Sequence, residues 1–462
     1  MKALHIHAGP RARQHLEQHG LQSADVHVIP AAAGGPKGLV LGPLDRFIFG
    51  EWLAKSEHPV HLVGASIGAW RMAAACLDAP VAALERLEHD YVHQSYDLPA
   101  GRKRPAAAHV SQRFAQTLAS FYEGRVHEVL QHPRYRLHIV TSRGRHVLGR
   151  EHALGTPLGY LGAFVTNTLH RKAMGAWLER VVFSSPDADG ACAALPFGVG
   201  DYRTRQVPLN AANFMSALQA SCSIPFVLQA VHDIAGAPRG AYWDGGITDY
   251  HMHLRYGVED NIAINSIADC AYLSGATGQK HHKNLPGHRA TGAGLVLYPH
   301  FQHRVVPGWL DKRLPWRHKT TPALDSMVLL SPNPEWVKTL PNAKLPDRND
   351  FTHYGTDTTA RARAWLAATR ASQQLVVASA QIDGLVVHVH NVLALLQVGV
   401  GGGVLHVLQG LGLRQNLCQR EEGGLQDGVG ALAHADLLGQ VDGVDGVDLD
   451  VVLSDVALGS GI

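Results

Sequence analysis

The stretch PVHLVGASIGAWRMAAA, residues 59–75, is the most informative part of the sequence for the fold. Residues 59–63 form a short apolar run that is typical of a buried strand, and residues 69–75 are rich in good helix formers. Between them, Gly64, Ser66 and Gly68 form a Gly-x-Ser-x-Gly motif. The glycines allow a sharp turn that leaves the serine hydroxyl above the strand. This order predicts a nucleophile elbow with Ser66 as the nucleophile, and the alternative is an ordinary strand-to-helix turn.

A glycine-rich turn one βα unit earlier is the second candidate element. Residues 26–30 (VHVIP) predict a strand, residues 31–38 read AAAGGPKG, and a helix is expected through residue 49. Such a turn exposes backbone N–H groups that bind an anion. Lys37 precedes Gly38, which excludes a Walker loop, and Ala33 replaces a glycine that a dinucleotide fingerprint requires. Because Ser66 follows closely, we interpret the turn as an oxyanion hole.

Strand-like and helix-like segments alternate through the following 300 or so residues, which predicts a mostly parallel sheet covered on both faces. A short aromatic strand at residues 241–243 ends at Asp244, Gly245 and Gly246. The expected fold class is α/β, a three-layer α/β/α domain. The other expected strands are residues 136–141, 180–184, 261–265, 295–298 and 327–330. The other expected helices are residues 10–19, 158–178, 210–221 with an Asn210 cap, 360–369 and the region 80–130, which includes a basic loop at 102–105.

Composition excludes several classes of protein. A net charge of +2 over 462 residues does not point to a polyanion, so we expect no nucleic-acid partner. The five cysteines are scattered and form no C-x-x-C pair, which argues against a disulfide framework and a zinc site. The first residues contain no apolar signal region, and we therefore expect a cytoplasmic protein.

Four sequence blocks coincide in a fixed order: GGPKG at 34–38, GASIG at 64–68, ASCSIP at 220–225 and DGG at 244–246. Together they resemble the patatin-like phospholipases over about residues 25–250. On this basis we expect a patatin-like domain over residues 1–374. One residue departs from the family pattern, because Ala33 occupies the position of the first loop glycine.

The resemblance implies a serine acyl hydrolase that works with a Ser–Asp dyad and needs neither a metal nor an organic cofactor. Asp244 would accept the Ser66 proton, and an acyl-enzyme intermediate would divide hydrolysis into two steps. The implied substrate is a lipid or fatty-acyl ester, cleaved as by a phospholipase A or lysophospholipase. The implied site comprises catalytic Ser66 and Asp244, the oxyanion-hole residues Gly34, Gly35, Lys37 and Gly38, and the motif glycines Gly64, Gly68, Gly245 and Gly246.

Other interpretations of these residues remain open at this point. His232, His251 or His253 would serve a histidine-based triad, and His251-x-His253 would supply half of a metal site, although a chain with 30 histidines contains such pairs by chance. Asp244 would also suit a turn cap. The rival functions are a carboxylesterase or acyltransferase on soluble esters and a catalytically silent lipid-binding module. No EF-hand calcium loop is present.

Residues 304–319 combine Trp309 and Trp316 with several basic side chains, including Lys312 and Arg313. Tryptophan with lysine and arginine suits an anionic membrane surface, so we expect peripheral membrane contact here. The alternative is an ordinary exposed loop. The basic stretch HHK at residues 281–283 is interpreted as a solvated loop.

The composition changes abruptly at residue 375. Residues 375–462 contain no Lys, Pro, Thr, Phe, Tyr or Trp and carry Gly-Val-Asp repeats without a hydrophobic period. A membrane span at 392–413 is a poor interpretation because it would contain polar residues and many glycines. The alternatives are a natural low-complexity tail and, as we favour, translation in a wrong frame. We expect this tail to be irregular, poorly ordered and without a catalytic role.

Overall fold

The computed structural model describes residues 2–96, 105–257 and 294–379. All of them belong to one unit, residues 1–392, and a second unit comprises residues 393–462. Three predictions lie outside the described residues: the strand at 261–265, the solvated loop at 281–283 and nearly all of the tail. The basic residues 102–104 also lie outside them.

Within the described ranges, ten strands join one sheet in the order β1-β10-β9-β2-β3-β4-β5-β6, with β8 beside β4 and β7 beside β8. The strands β10, β9, β2, β3 and β4 are parallel to one another, whereas β1, β5 and β8 run antiparallel to a neighbour. The predicted α/β fold with a mostly parallel sheet is confirmed. The strands are β1 (Leu4–Ala8), β2 (Val26–Ala31), β3 (Val60–Gly64), β4 (Tyr135–Gly144), β5 (Leu178–Ser184), β6 (Thr204–Pro208), β7 (Val231–His232), β8 (Ala241–Asp244), β9 (Leu295–Pro299) and β10 (Met327–Pro332).

Helices flank the sheet, and the central strands are buried on both faces as expected for parallel strands. The glycine-rich turn continues into a 3-10 helix, Gly35–Leu41, before the first α-helix that follows it. The α-helices in the described ranges are α1 (Pro10–His19), α2 (Gly42–Phe47), α3 (Ile67–Ala75), α4 (Pro80–Val92), α5 (Ala107–Tyr122), α6 (Val126–Leu130), α7 (Gly155–Leu169), α8 (Phe214–Ser221), α9 (Pro334–Val337), α10 (Asn349–Tyr354), α11 (Thr358–Ala371) and α12 (Gln373–Ser379).

Two expected helices differ from the structure by four residues or more at one end. The helix expected from Asn210 begins at Phe214, because the Asn210 side chain accepts hydrogen bonds from the N–H groups of Ala212 and Asn213 and holds a turn there. The helix expected at 158–178 ends at Leu169, and a 3-10 helix, Arg171–Ala176, leads from it to β5.

Strands β1 and β6 have no counterpart among the sequence predictions. Only Leu4 is a fully buried aliphatic side chain in the β1 stretch LHIHA, and in β6 the single buried residue is Val207. Both strands lie at the edges of the sheet, where the apolar signal is weak because one strand neighbour is missing.

Helix α12 spans the expected domain boundary at residue 374. Gln374 accepts a hydrogen bond from the Trp336 indole N–H, and Leu375 is completely buried in the core. A truncated chain should therefore end beyond residue 379. Among the described residues, no helix is both long and apolar enough to cross a membrane.

Candidate active site

The sheet register brings the two catalytic candidates to one edge of the sheet. Gly64, at the carboxyl end of β3, pairs with Ile139 of β4. Two residues further along β4, Thr141 pairs with Asp244 at the end of β8. Strand β8 therefore pairs with β4 just beyond the end of β3. This pairing places Asp244 next to the turn that contains Ser66.

The backbone at Ser66 has the strained conformation of an elbow. Ser66 has φ 57° and ψ −132°, a backbone conformation that residues with a Cβ rarely adopt. Helix α3 begins at the next residue. A Cβ at Gly64 would lie 2.6 Å from the Ala69 nitrogen, and a Cβ at Gly68 would lie 2.2 Å from the Ala31 carbonyl oxygen. Neither backbone atom can move aside, so both positions require glycine.

Ser221 supports the elbow from helix α8. The Ser66 N–H donates to Ser221 Oγ over 3.0 Å, and that hydroxyl donates to the Val140 carbonyl over 2.7 Å. These two hydrogen bonds fix the Ser66 amide and connect it through Ser221 to strand β4. Ser221 lies in the ASCSIP block, which is the signal that the sequence offers for it, although no role was predicted for this residue.

The glycine-rich loop follows β2, whose last residue, Ala31, pairs with Gly64. Gly35 has φ 55°, and a Cβ at Gly34 would lie 2.5 Å from the Phe301 ring. The Lys37 N–H donates to the Gly34 carbonyl at 3.4 Å, and Gly38 lies within the 3-10 helix. In the described part of the chain, the N–H groups of Gly34 and Gly35 have no acceptor. These two amides are therefore the ones that remain able to bind an anion.

Asp244 is buried and only partly satisfied. Its N–H donates to the Ser223 carbonyl, and its Oδ1 accepts the Gly246 N–H at 2.7 Å. Its Oδ2 is buried and has no hydrogen-bond partner in the described ranges. The Ser66 hydroxyl nevertheless lies close enough to affect this carboxyl. An unpaired carboxylate oxygen beside a serine hydroxyl is the arrangement that a general base requires.

Burial raises the pKa of Asp244 above its ordinary value. The Ser66 hydroxyl, the Arg348 guanidinium, the Gly246 amide and the Lys312 ammonium oppose this rise because each stabilises the charged carboxylate. The result is a carboxyl that is more basic than an exposed aspartate and still surrounded by groups that favour its ionisation.

Close packing fixes the Asp-Gly-Gly segment against the loop. A Cβ at Gly245 would lie 2.0 Å from the Val140 carbonyl oxygen, and a Cβ at Gly246 would lie 2.5 Å from the Ala33 Cβ. The Ala33 N–H donates to the Tyr250 carbonyl. The methyl group of Ala33 thus fills the space beside Gly246, which explains how the loop tolerates alanine in place of the family glycine.

Two cations from segments beyond residue 300 approach this site. The Lys312 ammonium lies over the Tyr250 ring, 4.1 Å from its centroid, and Arg348 Nε lies 3.4 Å from a Cβ built on Gly35. Burial lowers the pKa of Lys312, and the neighbouring Arg348 lowers it further. Lys312, one of the basic residues in the stretch predicted to contact a membrane, thus packs its ammonium on Tyr250, and the membrane contact of that stretch stays a prediction. No local motif marks either residue, so the sequence offered no signal for them.

The histidines of the rival triad contact neither Ser66 nor Asp244 in the structure. His232 is exposed on β7, and His253 interacts with the Thr321 hydroxyl. His251 is buried, accepts the Val306 N–H and lies against Tyr250. Among the described residues, no group of three side chains suited to a metal ion is found.

Residues 33–251, just under half of the chain, match the family model of the patatin-like phospholipases. The resemblance expected from the four blocks is confirmed. A comparison with curated proteins finds no match for the chain. The family match supports a lipid acyl hydrolase and a lipid substrate at this general level.

Proposed function

We propose that the protein hydrolyses acyl esters of lipids through a Ser66–Asp244 dyad, as a phospholipase A or lysophospholipase does. The observation that carries the proposal is the buried, unpartnered Asp244 Oδ2 beside a serine in a strained elbow. The proposed reaction requires no metal ion and no organic cofactor.

In the first step, Ser66 Oγ attacks the ester carbonyl carbon while Asp244 Oδ2 accepts the hydroxyl proton. The carbonyl oxygen becomes an oxyanion. The Gly34 and Gly35 amides would bind it together with the amide of Ile67, which opens α3 and has no acceptor within the described ranges. Loss of one such donor commonly raises the barrier by about 3 kcal/mol.

In the second step, the tetrahedral intermediate collapses, the ester C–O bond breaks and Asp244 returns its proton to the leaving alcohol. Water then attacks the acyl-Ser66 ester with Asp244 again as base, which releases the fatty acid and restores both residues. The raised pKa of Asp244 suits this exchange because a more basic carboxylate accepts a proton more readily.

Membrane contact near Trp309 and Trp316 is a further part of the proposal. Trp309 is half-buried and packs on core residues, whereas Trp316 is 57% exposed. Of the two, Trp316 is the one that would meet a membrane surface.

Labelling with a fluorophosphonate probe tests the dyad in the full chain. We expect a single adduct on Ser66 in the native protein and no adduct in Ser66→Ala. Hydrolysis of p-nitrophenyl butyrate and of a phospholipid should fall by about 10⁶-fold in Ser66→Ala and by about 10³-fold in Asp244→Asn.

Ser120→Ala is the matched control, because Ser120 is an exposed serine on α5 whose hydroxyl only accepts a bond from Arg86. It should keep full labelling and activity. A folded native protein that neither labels nor turns over either ester would overturn the proposed function.

A further inference from the structure

Helix α7 (Gly155–Leu169) is a surface helix without a single charged residue. Its exposed residues are Leu158, Leu161, Val165 and Leu169, with exposed fractions from 39% at Leu161 to 80% at Leu169. The spacing of three and four residues places all four on one stripe of the helix. A surface helix of a globular protein normally presents charged and polar residues on this side.

The opposite side of α7 fixes the orientation of that stripe. Gly159, Tyr160 and Ala163 are buried, and the Tyr160 ring lies 6.1 Å from the Trp243 ring. Trp243 directly precedes Asp244 in β8. The helix therefore cannot rotate its apolar stripe inward, and its inner face backs onto the strand that carries the proposed general base.

Other exposed apolar side chains lie close to the helix. Leu154 precedes α7 and is 73% exposed. The Phe226 ring lies 6.1 Å from the Tyr160 ring, and Phe226 and Val227 are both exposed. These two residues follow Pro225, at the end of the segment that supports the elbow through Ser221. The segment that supports the elbow therefore ends in two exposed apolar residues, one of which packs on Tyr160 of α7.

Positive charge borders the start of α7. A cavity of about 760 Å³ lies there, and its walls include His152 and Val147, each of which would lie 3.3 Å from a Cβ at Gly155, the first residue of the helix. Among the described residues, Asp233 is the single acidic side chain that lines it. The basic residues that line the cavity are Arg143, Arg145, Arg150, Arg239, His146, His152 and His232.

Only part of this charge is neutralised within the protein. Arg143 pairs with Glu179. Arg150 and Arg239 are exposed and have no carboxylate partner in the part of the chain that is described. At the other end of α7, Arg317 donates to the Asn167 carbonyl, which brings the loop with the exposed Trp316 against the helix.

We propose that the outer face of α7, with the flanking arginines and Trp316, docks the protein onto an anionic lipid bilayer. An apolar helical stripe bordered by cations and an exposed tryptophan is suited to the interface between headgroups and acyl chains. The helix of 15 residues is too short to cross a bilayer, so it lies in the plane of the interface. This inference rests on the proposed function for its purpose, since docking brings lipid esters to Ser66.

A binding assay in the Ser66→Ala background separates docking from catalysis. The full chain is floated with vesicles of 30% phosphatidylglycerol in phosphatidylcholine and with pure phosphatidylcholine vesicles. We expect binding to the anionic vesicles, and Leu158→Glu/Val165→Glu should weaken it at least tenfold because two charges replace two apolar contacts. Arg150→Gln/Arg239→Gln should weaken it roughly fivefold per removed charge and leave binding to neutral vesicles unchanged.

The matched control is Val81→Glu/Val377→Glu, two exposed valines away from α7, which should bind vesicles as the parent does. In the catalytically active chain, Leu158→Glu/Val165→Glu should cleave p-nitrophenyl butyrate at the native rate, which reports an intact fold and an intact dyad. Unchanged binding to anionic vesicles in Leu158→Glu/Val165→Glu would overturn the proposal. A native dimer that these two substitutions convert to a monomer would also overturn it and assign the face to a second copy. Failure of the esterase assay alone concerns the dyad and leaves the docking result standing.

Discussion

The loop and elbow at the carboxyl ends of β2 and β3 differ from the outer face of α7 in what determines their role. At the elbow, backbone geometry decides: Gly64, Gly68 and Gly245 are required because a Cβ would collide with main-chain atoms. On α7 no backbone constraint acts on Leu158 or Val165, and their significance lies in their exposure. The backbone constraint at the elbow is visible in the sequence as a glycine motif, whereas the exposure of apolar residues on α7 corresponds to no motif.

Because of this difference, substitutions in the two regions should change the hydrolysis of a soluble ester and of a vesicle lipid to different extents. A change at the elbow should affect a soluble ester and a vesicle lipid equally, because both need the nucleophile. A change on α7 should affect the vesicle lipid alone, because a soluble ester needs no docking. Each variant below is therefore compared on p-nitrophenyl butyrate and on anionic phospholipid vesicles.

Gly68→Ala should have the largest effect. Its Cβ would lie 2.2 Å from the Ala31 carbonyl oxygen, so the elbow and the strand that carries the oxyanion loop must separate. We expect hydrolysis of both substrates to fall by about 10²-fold or more, since displacements of about 1 Å have that cost. Gly200→Ala is the control, because a Cβ there meets nothing within 4 Å. Native activity in a folded Gly68→Ala protein would show that the elbow tolerates a Cβ next to the Ala31 carbonyl oxygen.

Arg348→Met should have an intermediate effect that depends on pH. Arg348 helps to lower the pKa of Asp244, so its removal lets burial raise that pKa further. Since the base must be ionised, the acidic limb of kcat/KM should move to higher pH, with a loss of several-fold on the limb. The rates should converge at high pH, where Asp244 is ionised in both proteins.

The exposed Lys319 offers the matched control for this charge, and Lys319→Met should leave the pH profile in place. The same shift is expected with both substrates. If kcat/KM of Arg348→Met is lower at every pH and its acidic limb has not moved, Arg348 acts by some route other than the ionisation of Asp244.

Ala33→Gly should have the smallest effect. The Ala33 methyl group packs against Gly246, and φ at this residue does not require glycine. We expect a loss of about 1 kcal/mol in the free energy of unfolding from backbone entropy and lost packing, and activity within about twofold of native on both substrates. Denaturant unfolding measures the first and initial rates the second. A large gain in activity would mean that the alanine distorts the loop.

Much of the fold was predictable because its central elements carry strong local signals. The run that forms β3 is apolar and ends at a glycine motif, and α1 begins at Pro10 and ends before Gly20 as its sequence predicts. The edge strands β1 and β6 were missed because few of their side chains are buried. The start of α8 was misplaced because Asn210 caps a turn instead of the helix.

The site was predictable where a motif carries it and unpredictable where distant segments meet. Ser66 and Asp244 stand in short motifs, and the register of β4 brings those motifs together. Lys312 and Arg348 come from segments that pack on the site only in the folded chain. The Lys37 N–H donates a hydrogen bond of 3.4 Å to the Gly34 carbonyl, a backbone contact that no residue pattern reveals.

The position of β2 in the sheet has a consequence for biosynthesis. Strand β2 carries the glycine-rich loop and lies between β3, which follows soon after it, and β9, which is synthesised much later at Leu295–Pro299. A growing chain therefore exposes one edge of β2 until β9 leaves the ribosome, and β1 must wait longer still for β10. Open strand edges are sites of self-association, and such distant pairings slow folding. Nascent chains that stop before β9 should thus be inactive and dependent on chaperones for solubility.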